Sequence, residues 1–345
     1  MKRFSVLFLL LIMIISVISC SAEEPDLPDF PQEIVSEDIV SAEEDMVIVC
    51  DQSVGRVVVY DLKDYKENTS LDEYEVWSFN PNNKNCGAVS GVKYRENTVF
   101  GDVILFVASG GYAGIVTYPD KKVVWEIDDC GDNPHSIEIL PDGNVVCAAS
   151  NGSSIRLYYT SEVQYGELIS QKDYVEYILE DAHGVLWDPQ HNVLWAVGGY
   201  ELVAFDVVGK GLNSSLEFTE KRYALPTYWG HDLSADMNDA NSLWISTGES
   251  VYHFNKTTGE FSSQFDNYEI LNKNDIKGFG NNKNGNFFYI FPNGQKIEET
   301  MDFETWNSDR FYFCRLDESD NLVLNEIVSN IGEFYKLRVF YGRYQ

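Results

Sequence analysis

Basic residues are scarce. In 345 residues, 25 Lys and Arg face 55 Asp and Glu, for a formal net charge of -30. That balance excludes nucleic acid as a partner, because affinity for a phosphate backbone rests on clustered Lys and Arg. Cysteines number 6 and none forms a CxxC pair, which excludes a zinc ribbon or a thioredoxin-like centre. There is no GxSxG elbow, no P-loop and no HExxH. Gly278-Phe279-Gly280 precedes a strand pattern, so it cradles no phosphate at a helix start. Helical periodicity is missing from residue 46 onward.

Only one long apolar run is present. Met1-Lys2-Arg3 leads into residues 4–18, too short for a membrane span and of the right length and charge for a secretion signal. The run ends Val17-Ile18-Ser19-Cys20, which resembles the lipobox of bacterial lipoproteins, in which the cysteine is acylated and becomes the N-terminus. Residues 1–19 are therefore expected to be a lipoprotein signal peptide, with Cys20 the lipidation site and the anchor to the membrane. Residues 20–45 follow as a tether: residues 21–45 hold ten acids, no Lys or Arg, and Pro25, Pro28 and Pro31, a composition that cannot offset its ordering entropy. Ser21-Ala22-Glu23-Glu24 resembles the signal that sends some Bacteroidetes lipoproteins to the outer face of the outer membrane. The expected location is the bacterial cell envelope, at the outer membrane and exposed on the surface.

What fills residues 46–345 is a repeat of short β-branched and aromatic runs. Six copies of one strand align: Val47-Ile48-Val49-Cys50, Ile104-Leu105-Phe106-Val107, Val145-Val146-Cys147-Ala148, Val193-Leu194-Trp195-Ala196, Leu243-Trp244-Ile245-Ser246 and Phe287-Phe288-Tyr289-Ile290. Each is followed by a strand ending near an aromatic residue (Tyr60, Tyr118, Tyr158, Phe205, Phe254, Phe313) and by a third, less regular one. An opening strand precedes five of the six, at residues 90–94, 135–140, 183–187, 231–235 and 277–281. Four strands per unit at a period of about 40 to 60 residues specify an all-β, six-bladed β-propeller. The first unit lacks its opener, and an orphan strand pattern stands at residues 333–340. The C-terminal strand should pair with the N-terminal blade as its innermost strand and close the ring. Cys50 and Cys147 read as buried small hydrophobes. Cys86 and Cys130 occupy comparable loops of adjoining repeats, which leaves a bond between them open.

The opening strands place histidine in one slot three times: His135, His183 and His231 lie 48 and 48 residues apart, in a chain with only 5 histidines. Ser90 and Lys277 fill two further slots. Coincidence is excluded, whereas inheritance of a structural residue with each duplicated blade is not. Inner strands line a propeller's channel, so these leading residues should converge at one mouth. Three imidazoles can hold one divalent metal ion with positions left for water or substrate. Alternatively, one neutral imidazole acts as base and another as acid, with Lys277 stabilising negative charge. Trp229 and Asp232 flank His231 as substrate-binding candidates: Trp229 to stack a sugar ring, Asp232 to orient the histidine. His191 and His253 read as surface or packing residues. Glu138 and Asp236 can be written as a glycosidase pair, but among 55 acids the match is uninformative.

The segments Gly131-Asp132-Asn133-Pro134-His135-Ser136-Ile137-Glu138-Ile139-Leu140-Pro141-Asp142-Gly143-Asn144, Asp181-Ala182-His183-Gly184-Val185 and Gly230-His231-Asp232-Leu233 resemble an uncharacterised family of secreted bacterial six-bladed propellers, a domain of unknown function. The resemblance runs over residues 46–345 and implies fold and export, with no established activity. A looser, mechanistic similarity is to oligogalacturonate lyases, propellers whose central metal is held by several histidines. Their common seven-bladed form differs, so residue roles do not transfer. The functional expectation is a surface-anchored, carbohydrate-active propeller, a polysaccharide lyase or glycosidase, with His135, His183, His231 and Lys277 catalytic. The alternatives are a non-catalytic glycan- or protein-binding propeller, or a scaffold subunit of an outer-membrane complex.

Overall fold

The structure, a computed structural model, describes residues 45–66, 69–162, 173–263, 274–292, 306–316, 322–329 and 332–343. The expected signal peptide, residues 1–19, and the expected tether, residues 20–45, lie outside these residues except for Asp45. Within them, 24 strands form six antiparallel sheets of four strands, with only short 3-10 turns between them. The inner strands are Phe334–Val339, Val89–Thr98, Pro134–Ile139, Gly184–Asp188, Asp232–Ala235 and Gly278–Asn281, numbered here as blades one to six, and neighbours in that order touch around a closed ring. All six expected second strands are present, from Met46–Asp51 to Phe287–Ile290.

Ring closure follows the expected register. Phe334–Val339 pairs antiparallel with Met46–Asp51, with Val47 opposite Val339 and Val49 opposite Leu337. Blade one therefore draws strands from both ends of the repeat, and the ring ends leave no inner strand unpaired.

The continuous apolar runs follow from this arrangement. A blade is sandwiched between two others, and successive side chains of a strand point to opposite faces, so both faces of the second strand must be apolar. Ile48 and Cys50 pack with Val92, Ile104 and Phe106 of blade two, while Val47 and Val49 pack with Phe288, Ile290 and Phe311 of blade six. The core is thus a set of layers between blades. Fully burying a Val, Leu or Ile side chain contributes roughly 1.5–3 kcal/mol.

The cysteines belong to those layers. Cys86 and Cys130 do not bond to one another: Cys86 packs between blades one and two, Cys130 between two and three, and all five cysteines of the described residues are free and buried. Cys130 packs in the same layer as Cys147. Burial pushes the thiols of Cys50, Cys86 and Cys314 up to about 12, so they are inert packing groups.

Candidate functional site at the channel mouth

The three histidines stand side by side where the inner strands begin. The His135 and His183 rings are stacked, with centroids 4.5 Å apart at 14°, and His231 meets His183 edge-on at 5.2 Å. His135 Nδ1 lies 3.4 Å from the Tyr335 hydroxyl, and His183 Nδ1 donates to the carbonyl of Asp181 at 2.9 Å. The Lys277 ammonium donates to His231 Nε2 at 3.1 Å, which leaves the proton on Nδ1, a buried atom without a partner among the described residues. None of these bonds goes to a neighbouring blade's backbone.

Burial makes all three imidazoles neutral. It pulls His183 down to about 3 and His231 to about 2, reinforced by Lys336 and Lys277, and it holds His135 well below its ordinary value. Lys277, only 2% exposed, is lowered to about 8 by burial against the opposing pull of Asp275.

The arrangement does not fit the expected metal site on His135, His183 and His231. Stacked rings cannot aim their nitrogens at one point, and a lysine ammonium already occupies His231 Nε2. Among the described residues no group of His, Cys, Asp and Glu has the geometry to hold a metal ion.

Two residues of the closing strand that spacing did not single out also belong here: Tyr335, whose hydroxyl meets His135, and Lys336, whose ammonium lies among the histidine carbonyls. Lys336 donates to the carbonyls of His135 at 3.3 Å, His183 at 3.5 Å and His231 at 3.0 Å, and it pairs with Asp232 at 3.4 Å. Asp232, proposed above to touch substrate, is instead turned inward. It is 1% exposed, and its carboxylate takes Lys336, the Arg338 guanidinium and the backbone N–H of Phe279. Those partners hold its pKa below the usual carboxylate range despite burial.

The rim also carries groups that spacing did not single out. The residue two before the mouth residue is left-handed in four blades: Asn133, Asp181, Trp229 and Asp275 have φ of 58°, 51°, 61° and 59°. Asn and Asp tolerate this conformation; a tryptophan there is strained. Asp181 reaches His183 at 3.3 Å, and Asp275 reaches His231 at 3.7 Å and Lys277 at 3.9 Å. Trp229 is 57% exposed, beside Tyr228 at 62%, which packs edge-on against Tyr200 at 5.4 Å. Trp306, 65% exposed, lies 5.4 Å from the Lys277 ammonium. A shared position two residues before each slot could have revealed Asp181 and Asp275; nothing in the sequence marks Trp306.

His191 and His253 are packing residues. Each ring holds a carboxylate at 2.9 Å, Asp188 and Asp236 respectively, and His253 also lies against Trp244. Glu138 and Asp236 form no pair: Glu138 is fully buried against Lys93 and Arg95.

Fold and site together define a six-bladed β-propeller with a buried histidine–lysine cluster at one mouth of its channel. The chain belongs to the family described as "Family of unknown function (DUF6528)", which matches residues 1–301. No curated protein matches the sequence. Among solved structures, a protein of unknown function from Bacteroides caccae is similar over 85% of this chain and 97% of its own, with TM-score 0.54 and 13% identity. A nidogen/laminin complex is similar over 86% and 99%, with TM-score 0.52 and 12% identity. The virginiamycin B lyase of Staphylococcus aureus matches 75% and 76% at TM-score 0.48 and 11% identity. At such identities the likeness is one of fold alone.

Proposed function

We propose that this propeller is held at the outer membrane by a lipid on Cys20 and binds a neutral glycan at the histidine mouth. The observation that carries the binding reading is the aromatic rim. Tyr200, Tyr228, Trp229 and Trp306 expose large rings beside the mouth, and Trp229 keeps an unfavourable backbone conformation to do so. Strain of that kind is characteristic of functional positions. Flat rings stack on sugar faces, while the Asp181 and Asp275 carboxylates, 33% and 56% exposed, accept from hydroxyls. The same carboxylates and the overall charge disfavour an acidic polysaccharide. The buried state of Lys277 and the imidazoles favours binding over lyase chemistry, since they are engaged with one another rather than open to a reacting atom.

One observation favours hydrolysis as a second reading. Burial and the neighbouring Glu180 push the Asp181 carboxyl up, as a general acid requires. Glycan-array screening of residues 21–345, then calorimetric titration of the best hit, tests the first reading. Trp229→Ala or Trp306→Ala should weaken binding at least about tenfold, and unchanged affinity in both would refute the site. Release of reducing ends, abolished by Asp181→Asn, would establish the second. For the anchor, fatty-acid labelling lost in Cys20→Ser is expected; labelling that persists contradicts it.

A further inference from the structure

Four lysines are buried among the described residues: Lys93, Lys256, Lys277 and Lys336. Three of them meet a carboxylate closely, Lys93 at Glu138 (3.0 Å), Lys256 at Asp188 (2.8 Å) and Lys336 at Asp232 (3.4 Å). Lys277 differs. Asp275 balances its charge at 3.9 Å, too far to accept a hydrogen bond, and the ammonium donates only to the neutral His231 Nε2 at 3.1 Å. An ammonium carries three donors, so two of them have no acceptor among the described residues. Leaving such donors unmet in a residue 2% exposed is costly, and an acceptor brought by a ligand removes that cost.

What surrounds those donors defines the acceptor. The Asp275 carboxylate is 56% exposed, and the indole of Trp306, 65% exposed, has its centroid 5.4 Å from the ammonium. A matching ligand therefore offers an acceptor to Lys277, a hydroxyl to Asp275 and an apolar surface to Trp306. The ammonium is recessed beneath exposed neighbours. A sugar hydroxyl extends one bond from the ring, whereas the oxygen of an acetamido group stands three bonds out, only accepts, and carries an apolar methyl beside it. A carboxylate arm has the same reach but meets the charges of Asp275 and Asp181 and a chain of net charge -30. We propose that blade six forms a subsite for the acetamido group of an N-acetylated amino sugar. The carbonyl oxygen accepts from Lys277, the methyl lies against Trp306, and the hydroxyl on the neighbouring ring carbon donates to Asp275. No bond is made or broken, in keeping with the engagement of Lys277 by His231. This rests on the glycan reading of the mouth and names the sugar class it takes.

The test is calorimetric titration of residues 21–345 with neutral pairs that differ only in acetamido against hydroxyl: chitotetraose with cellotetraose, and N-acetylgalactosamine with galactose. In at least one pair the acetamido member should bind about tenfold tighter. Lys277→Met, which keeps the aliphatic stem, should bring that pair within about twofold. Asp275→Gly serves if this variant fails to fold, because the left-handed backbone there, φ 59°, suits glycine, and it should weaken the acetamido member about tenfold. Equal affinity within both pairs, a preference that survives Lys277→Met, or undiminished binding in Asp275→Gly would overturn the subsite and leave the glycan reading standing. No binding by any of the four sugars would also overturn it, and a blank glycan array besides would overturn the reading on which it rests.

Discussion

His183 and His231 show how burial converts a repeated residue into a pH-dependent one. Their folded pKa values, about 3 and about 2, lie below the ordinary value near 6.5, and that of His135 is lowered in the same direction. As pH falls from about 6.5 toward 3, the unfolded chain therefore binds more protons than the folded one, and stability declines by up to about 1.4 kcal/mol per pH unit for each histidine. Glu138 and Asp232 have lowered folded values, so their contribution is present above about pH 4 and is lost only below it. The urea midpoint should drop steadily between pH 7 and 4.5, and His183→Gln should flatten that slope. A flat profile in the parent protein would mean that the imidazoles are solvated.

Trp229 poses the opposite trade. Its left-handed position is occupied by Asn133, Asp181 and Asp275 in sister blades, so Trp229→Asn should leave Tm unchanged or higher while glycan affinity falls. A lower Tm would show that the indole serves packing against Gly248, which it covers. Lys336 acts at the same scale. Lys336→Met removes the donor shared by three histidine carbonyls and should destabilise by about 2–4 kcal/mol, read from urea unfolding.

Among the elements, the inner strands are limited by how closely they approach. A Cβ on Gly91 would collide with the carbonyl of His135, one on Gly184 would come within 2.8 Å of Leu233 Cβ, and one on Gly278 within 3.0 Å of the Leu337 nitrogen. These glycines follow the mouth residues Ser90, His183 and Lys277, so the convergence that gathers the site is made possible by the absence of a side chain one position on. Gly91→Ala should cost about 2–4 kcal/mol, since the obstacle is backbone and cannot rotate away. The closing strand is the other sensitive element. Deletion of residues 334–345 removes the inner strand of blade one and bares the layers on both its sides, so the cooperative thermal transition should vanish. A truncated protein that still melts in one sharp step would mean that the ring holds without its closure.

For the whole molecule, a charge of -30 opposes compaction. Moderate salt should raise Tm by screening that repulsion, with sodium chloride from low to physiological strength as the measurement. The sequence by itself determined the architecture. Six strands apolar on both faces can be buried only between neighbouring blades, and a missing opener at one end with an orphan strand at the other fixes the closure. It also determined which residues share a mouth, because a repeat maps equal positions to equal places, and His135, His183, His231 and Lys277 do meet there. What only the tertiary structure decided is the state of those residues. Stacking, burial and a lysine on His231 Nε2 arise from contacts between blades some 48 residues apart in sequence, and they turn a plausible metal triad into a neutral cluster. Asp232 faces Lys336 and Arg338 for the same reason, since the partner strand arrives from the far end of the chain. Periodicity fixes position along a strand; the dielectric and the partners at that position are set by what packs across the ring.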